Sequence, residues 1–291
     1  MFSGSIVALI TPMTATGEID WAALESLIEW HVQSGTHGIV PVGTTGESAT
    51  LTFDEHKAVV ERTIKCVAGR IPVIAGTGAN ATAEAIEFTA AAAQAGADAC
   101  LLVTPYYNKP PQEGLYQHYC AVAAAVDVPI VLYNVPARTA CDMLPETVAR
   151  LAEVDNIIGI KEACGDAQRV AAIRALVDDR FIILSGEDAQ TLAMMELGAV
   201  GTISVTANVL PKQMSEFCTA YLERDVGRAK QLDDVLQPIH EVLFVETSPI
   251  PTKWALSAMG KVDVGIRLPL VPLSEPRHDE VRQRLEAVGA L

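Results

Sequence analysis

The chain has 291 residues, half of them hydrophobic, with aromatics at only 5% and a formal net charge of -15. That length fits one large domain with an appendage or two small domains, and Ala, Val, Ile and Leu must fill the core. The acidic excess argues against nucleic acid or an anionic membrane surface as a partner, since both would repel the chain.

The N-terminal stretch MFSGSIVALITPM lacks a basic leader and a small-residue cleavage site, and reads as a first strand. Seven more short apolar runs follow it. In order the runs are Ser5–Ile10, Gly38–Val42, Ile71–Ala75, Ala99–Thr104, Pro129–Tyr133, Ile157–Lys161, Phe181–Ser185 and Val200–Ser204. Most are apolar on successive residues, as in parallel strands buried on both faces. Between them, Trp21–Gln33, Asp54–Ala68 and Ala83–Gln94 carry apolar residues at helical spacing. Asp20 and Asp54 are N-cap candidates, and Gly35, Gly69 and Gly96 punctuate the C-terminal ends. The alternation predicts an α/β (β/α)8 TIM barrel over residues 1–224, with a C-terminal helical appendage over 225–291. A doubly wound open sheet is the structural alternative. No apolar stretch is long and uncharged enough to span a bilayer.

Metal and nucleotide chemistry find little support. Cys66, Cys100, Cys120, Cys141, Cys164 and Cys218 form no C-x-x-C pair. They read as small thiols of a protein in a reducing cytoplasm. His31, His37, His56, His118, His240 and His278 complete no zinc pattern. Gly76-Thr77-Gly78-Ala79-Asn80 lacks the third glycine of a dinucleotide loop. No metal and no cofactor is expected.

Barrel enzymes place their reacting groups at the C-terminal ends of the strands. Here that rim holds Gly43-Thr44-Thr45-Gly46-Glu47-Ser48, Thr104-Pro105-Tyr106-Tyr107-Asn108, the segment from Tyr133 to Thr139, Lys161-Glu162 and Gly186-Glu187-Asp188. An amine at a strand end loses water, and desolvation favours the neutral form that attacks carbonyls. Lys161 is therefore a candidate nucleophile, or else one half of a structural ion pair with Glu162 or another acid. Adjacent strands lie about 5 Å apart, so Tyr133 can meet Lys161 and shuttle protons, or serve as a core tyrosine. The Thr44–Thr45 loop can offer hydroxyls and N–H groups to a small carboxylate. Arg138 can clamp a second carboxylate, or stand solvated.

Four motifs occur together and in order: Gly43-Thr44-Thr45-Gly46-Glu47, Tyr106-Tyr107-Asn108-Lys109-Pro110, Tyr133-Asn134-Val135-Pro136-Ala137-Arg138-Thr139 and Gly159-Ile160-Lys161-Glu162-Ala163. In these the chain resembles the dihydrodipicolinate synthase (4-hydroxy-tetrahydrodipicolinate synthase) family of pyruvate-dependent class I aldolases, over essentially its whole length. The resemblance implies a lyase that condenses pyruvate with L-aspartate 4-semialdehyde through an imine on Lys161, the committed step toward diaminopimelate and lysine. It implies Tyr133, Thr44 and Tyr107 as a proton relay, with Tyr107 reaching into a neighbouring subunit. It further implies Thr45 as binder of the pyruvate carboxylate, Gly186 and Ile203 as lining of that site, and Arg138 as binder of the aldehyde's carboxylate. A homotetramer built as a dimer of dimers is implied as well. So is a cleft for inhibitory L-lysine at Ser48, Ala49, His56, Asn80, Glu84 and Tyr106. Two positions depart: Phe53 stands where some inhibited members carry histidine, and Cys164 where Thr or Ser is usual.

The nearest rivals are sister enzymes sharing the lysine, tyrosine and barrel, namely N-acetylneuraminate lyase and the 2-keto-3-deoxy sugar-acid aldolases. The Thr44–Thr45 pair and Arg138 lean away from them. A non-catalytic pyruvate or lysine sensor is the rival of a different class.

Overall fold

The computed structural model describes residues 2–291. Eight strands, β1 (Gly4–Ala8), β2 (Gly38–Val40), β3 (Ile74–Gly76), β4 (Ala99–Val103), β5 (Ile130–Asn134), β6 (Ile157–Glu162), β7 (Ile182–Ser185) and β8 (Gly201–Ser204), form one parallel sheet in the order β2-β1-β8-β7-β6-β5-β4-β3. The sheet closes on itself between its two ends. Ile39 bridges Val73, the Ile39 N–H donates to the Pro72 carbonyl at 2.9 Å, and the Gly76 N–H to the Pro41 carbonyl at 3.0 Å. The result is a TIM barrel, and it leaves no free sheet edge.

The helices that return the chain between strands are α1 (Trp21–Gln33), α2 (Phe53–Val67), α3 (Thr82–Ala95), α4 (Gln112–Ala125), α5 (Pro136–Thr139), α6 (Pro145–Leu151), α7 (Gln168–Arg174), α8 (Thr191–Glu196) and α9 (Pro211–Leu222). Three more, α10 (Val226–Val242), α11 (Ile250–Ala258) and α12 (Glu275–Ala287), follow with no further strand. α10 packs on α9 and α12, and α11 on α12.

Several ends fall differently from the sequence expectation, each for a local reason. β2 stops at Val40 because Val42 turns to φ +55, which breaks extended pairing. β3 starts at Ile74, since the Val73 N–H goes to the Asp98 carboxylate at 2.8 Å and Pro72 has none to give. Asp20 does cap α1, accepting from the Ala23 N–H at 2.9 Å. Asp54 does not cap α2. Thr52 does, accepting from the Glu55 N–H at 3.3 Å while the Glu55 carboxylate accepts from the Thr52 N–H at 2.8 Å. This reciprocal box moves the cap two residues upstream and leaves Asp54 in the first turn, where its charge suits the helix dipole.

Strand alternation sorts the apolar residues into two cores. Ile6, Ala8, Val40, Ile74, Leu101, Val131, Leu184 and Ile203 fill the barrel interior. Val7, Leu9, Ile39, Cys100, Leu102, Leu132, Ile160 and Ile183 face the helices. This double burial is why the strands read as unbroken apolar runs.

Candidate active site

Lys161 reaches the barrel interior through a fault in the ladder. β5 pairs Ile130 with Ile157, then Val131 with Gly159, which leaves Ile158 as an extra residue. One extra residue reverses the facing of everything after it. Ile157 packs toward the helices with Ile130. Without the bulge, strict alternation would send Lys161 the same way. With it, Lys161 pairs with Tyr133 and faces inward, whereas Glu162 pairs with Asn134 and faces outward. Lys161 Nζ lies 4.3 Å from the Tyr133 ring centroid. The lysine is only 5% exposed, and its strand partners Tyr133 and Leu184 belong to the inner core.

The ion pair between Lys161 and Glu162 does not form. Among the described residues Lys161 Nζ is in no ion pair and no hydrogen bond with another side chain. The Glu162 carboxylate instead accepts from Asn134 Nδ2 at 3.0 Å on the far side of the sheet. Burial pushes its carboxyl up to about 7, against the pull of Asn134 and Arg169. Glu187 lies within reach of the lysine's charge. Burial raises its carboxyl above the usual range, and the charges of Lys161 and Arg138 draw it back.

Three loops complete the rim. Gly186 follows β7, and a Cβ there would meet Ala163 Cβ at 2.7 Å and Lys161 Cε at 2.9 Å. Ile203 sits on β8 opposite Ile6, inside the barrel. The Thr44–Thr45 loop turns tightly, with the Glu47 N–H donating to the Thr44 carbonyl at 3.1 Å. Thr45 is buried. Arg138, on α5, gives one long bond of 3.5 Å to the Ser248 carbonyl. Tyr107 does not join this group within the chain: it is 90% exposed, at φ +72.

A cavity of about 550 Å³ opens beside the rim. Thr44 and Arg138 line it, and so do Ser48, Ala49, Phe53, His56, Glu84 and Tyr106. Lys161 and Tyr133 are not in its wall; both are buried inside the barrel. Asn80 is also outside the lining, and its carbonyl accepts from Asn108 Nδ2 at 2.9 Å. Phe53 stacks on Phe88 at 4.3 Å, and His56 stacks on the same ring at 3.9 Å. Burial pushes His56 down to about 4, which leaves a neutral ring whose Nε2 bonds the Gly76 carbonyl at 2.8 Å. Cys164 is a thiol raised to about 11 by burial, with Sγ 3.6 Å from the Asp166 carbonyl.

Three supporting residues escaped sequence reasoning, and a fourth, Asp188, stood among the rim residues without a role. Asp188 Oδ2 accepts from the Val205 and Thr206 N–H groups at 2.8 and 2.9 Å, tying the loop after β7 to the loop after β8. Asn208 ties that loop to β1, through the Ala8 carbonyl at 2.8 Å and the Ile10 N–H at 3.0 Å. Lys253 and Arg267 reach from the C-terminal region to Glu47. Lys253 did carry a signal, being the lone charge in the apolar helix IPTKWALSA. A buried charge needs a partner.

A family model described as the dihydrodipicolinate synthetase family matches residues 1–288. The 4-hydroxy-tetrahydrodipicolinate synthase of Pseudomonas savastanoi pv. phaseolicola is 58% identical over 291 residues, covering 100% of both chains. The crystal structure of the dihydrodipicolinate synthase of Acinetobacter baumannii complexed with pyruvate superposes with a TM-score of 0.99 at 52% identity, covering 100% of both chains. The enzyme of Cyanidioschyzon merolae with lysine bound gives 0.96 at 39% identity, over 100% of this chain and 99% of that one.

Proposed function

The chain belongs to the dihydrodipicolinate synthetase family, and from that premise we propose the following division of labour for the synthase reaction. Residues 1–224 form the catalytic barrel and 225–291 a helical region. Lys161 Nζ attacks the C2 carbonyl of pyruvate and expels water, giving an imine. The protonated imine withdraws electrons and acidifies the pyruvate methyl group, so the lysine supplies the electron sink. Loss of a methyl proton gives an enamine, whose carbon attacks the aldehyde of L-aspartate 4-semialdehyde. The amine of the aldol adduct then adds to the imine carbon and displaces Lys161, releasing 4-hydroxy-tetrahydrodipicolinate.

The observation that carries this reading is the inward, unpaired Lys161 against Tyr133. Tyr133 and Thr44 relay protons with Tyr107 from a second copy of the chain, whose ring stands clear of its own fold. Thr45 binds the pyruvate carboxylate between Gly186 and Ile203, and Arg138 at the mouth takes the carboxylate of the aldehyde partner. A homotetramer in the cytoplasm is the setting proposed. No described helix is long and apolar enough to cross a membrane. Assaying pyruvate and aspartate semialdehyde, with product coupled to its NADPH-dependent reductase, tests the assignment. Turnover lost in Lys161→Ala supports it. Absence of turnover in the wild type, with turnover on sugar acids, transfers the chain to a sister aldolase.

Ser48, Ala49, His56, Glu84 and Tyr106, with Asn80 nearby, form the proposed cleft for L-lysine. Phe53 offers that cleft a ring face and no hydrogen bond, so inhibition is expected to be retained but weakened. Titrating L-lysine against the rate checks this, and a flat curve into the millimolar range refutes it.

A further inference from the structure

We propose that Glu47 and Lys253 are a buried positioning pair that fixes the Thr44–Thr45 loop, so that the C-terminal helical region sets the geometry of hydroxyls the barrel alone would leave loose. The proposal rests on the reading of Thr44 and Thr45 given above.

The loop occupies a conformation that needs holding. Glu47 sits at φ +57, a left-handed region that side chains other than glycine enter only when the surroundings enforce it. Its N–H closes a turn on the Thr44 carbonyl, and the Ser48 N–H closes a second on the Gly43 carbonyl at 3.3 Å. From the barrel side, Thr11 Oγ1 donates to the Gly46 carbonyl at 2.7 Å. A Cβ at Gly46 would meet the Val42 nitrogen at 2.9 Å and the Leu9 carbonyl at 3.0 Å, so the backbone is pressed against the turn after β2 and the segment after β1. The opposite side is held by the Glu47 carboxylate. Lys253 Nζ binds Oε1, and the Arg267 N–H donates to Oε2 at 3.2 Å. Lys253 Nζ has a second fixed partner in the Gly265 carbonyl at 2.8 Å.

Arg267 extends the tether. Its guanidinium donates to both oxygens of Glu55 at 2.7 and 2.6 Å, to the Thr50 carbonyl at 3.0 Å and to the Gly17 carbonyl at 2.7 Å. The segment from Thr44 to Glu55 is thus strapped at two points by residues more than 200 positions away.

Glu47 and Lys253 are both buried. Burial pushes the Lys253 ammonium below its usual range, and the carboxylate of Glu47 draws it back. A buried ion pair adds little net stability over an apolar pair of the same volume. What it adds is direction: each charge accepts few geometries. That directional content suits a loop that must hold two hydroxyls in register.

The full-length enzyme carrying both Glu47→Gln and Lys253→Met tests this. Each single change strands a buried charge and can unfold the protein, whereas the double change removes both. The folded double variant should lose about 10- to 100-fold in kcat/KM for pyruvate, because small displacements of positioning groups have effects of that size. The KM for the aldehyde, bound at Arg138, should stay near wild type. Lys253→Arg retains the charge but not its point of contact, and should raise the pyruvate KM and lower kcat/KM as the double variant does, by a smaller factor. Wild-type pyruvate kinetics in either folded variant overturns the proposal. Thr45→Val is the control. If it leaves the pyruvate KM unchanged, the reading of the loop fails. If it raises that KM while the double variant does not, the positioning pair fails alone.

Discussion

A Cβ on residue 186 would come within 2.9 Å of Lys161 Cε and 2.7 Å of Ala163 Cβ. Glycine is needed there for space, since the backbone must pass close to the lysine stem. Gly186→Ala should therefore leave the barrel folded and push Lys161 off its line. Misplacement of a reacting group by about 1 Å costs on the order of 100-fold in rate. Kinetics beside thermal unfolding check this, and a variant with wild-type kcat would show that Lys161 has room to spare. That Tyr133 and Lys161 would meet was legible in the sequence, and so was the place of Thr44 and Arg138 at the rim. The closeness of Gly186 to the lysine was not, because it depends on the packing of two strand ends. Tyr107 shows a different limit: within one chain it touches none of its expected partners.

At the scale of elements, the bulge at Ile158 decides the site. The sequence run IIGIK contains no hint of which residue is extra. Counted from Ile157 by strict alternation, Lys161 would face the helices. Register is set by the neighbouring strand, so no single-strand reading could find it. The same reversal places Glu162 outward, in a buried carboxyl site with Asn134, Asp142 and Arg169. Its carboxyl is held at about 7 against an ordinary 4.5, chiefly by burial. Between those two values the unfolded chain has released the proton while the folded one keeps it. Stability from this group therefore falls as pH rises from about 4.5 to 7, by roughly 3 kcal/mol in all. Glu162→Gln keeps an acceptor for Asn134 and should remove that slope. Denaturant melts of variant and wild type across the window check it, and parallel curves would mean that the carboxyl ionises freely in the fold. Helix starts were less legible than helix bodies: α2 begins at a Thr52–Glu55 box rather than at the more conspicuous Asp54.

For the molecule as a whole, buried histidines act in the opposite sense to Glu162. Burial pushes His31 down to about 3, with the Lys261 charge adding to it, and pushes His56 and His118 to about 4. His37 and His240 are lowered too, again by burial. Below 6.5 the unfolded chain binds protons that the folded one refuses, so stability from these groups is full at neutral pH and is lost as pH falls toward 4. Glu187 and Asp233, raised by burial, slope the other way with Glu162. The histidines are more numerous, five against three, and His31 is displaced further than Glu162. The melting temperature is expected to fall between pH 7 and pH 5, and a flat or rising profile would show that the buried rings accept protons. The barrel and the absence of further strands after α9 were legible from alternation of runs. The contacts that bring Lys253 and Arg267 over the rim were not, since they join residues more than 200 positions apart.

The proposed chemistry passes through an imine on Lys161. Borohydride reduction in the presence of pyruvate, followed by peptide mass spectrometry, tests it most directly, with Lys161→Ala carried through the coupled assay in parallel. One reduced pyruvyl adduct is expected, on the peptide holding Lys161, and no turnover in the variant. An adduct on another lysine, or turnover that survives Lys161→Ala, would contradict it.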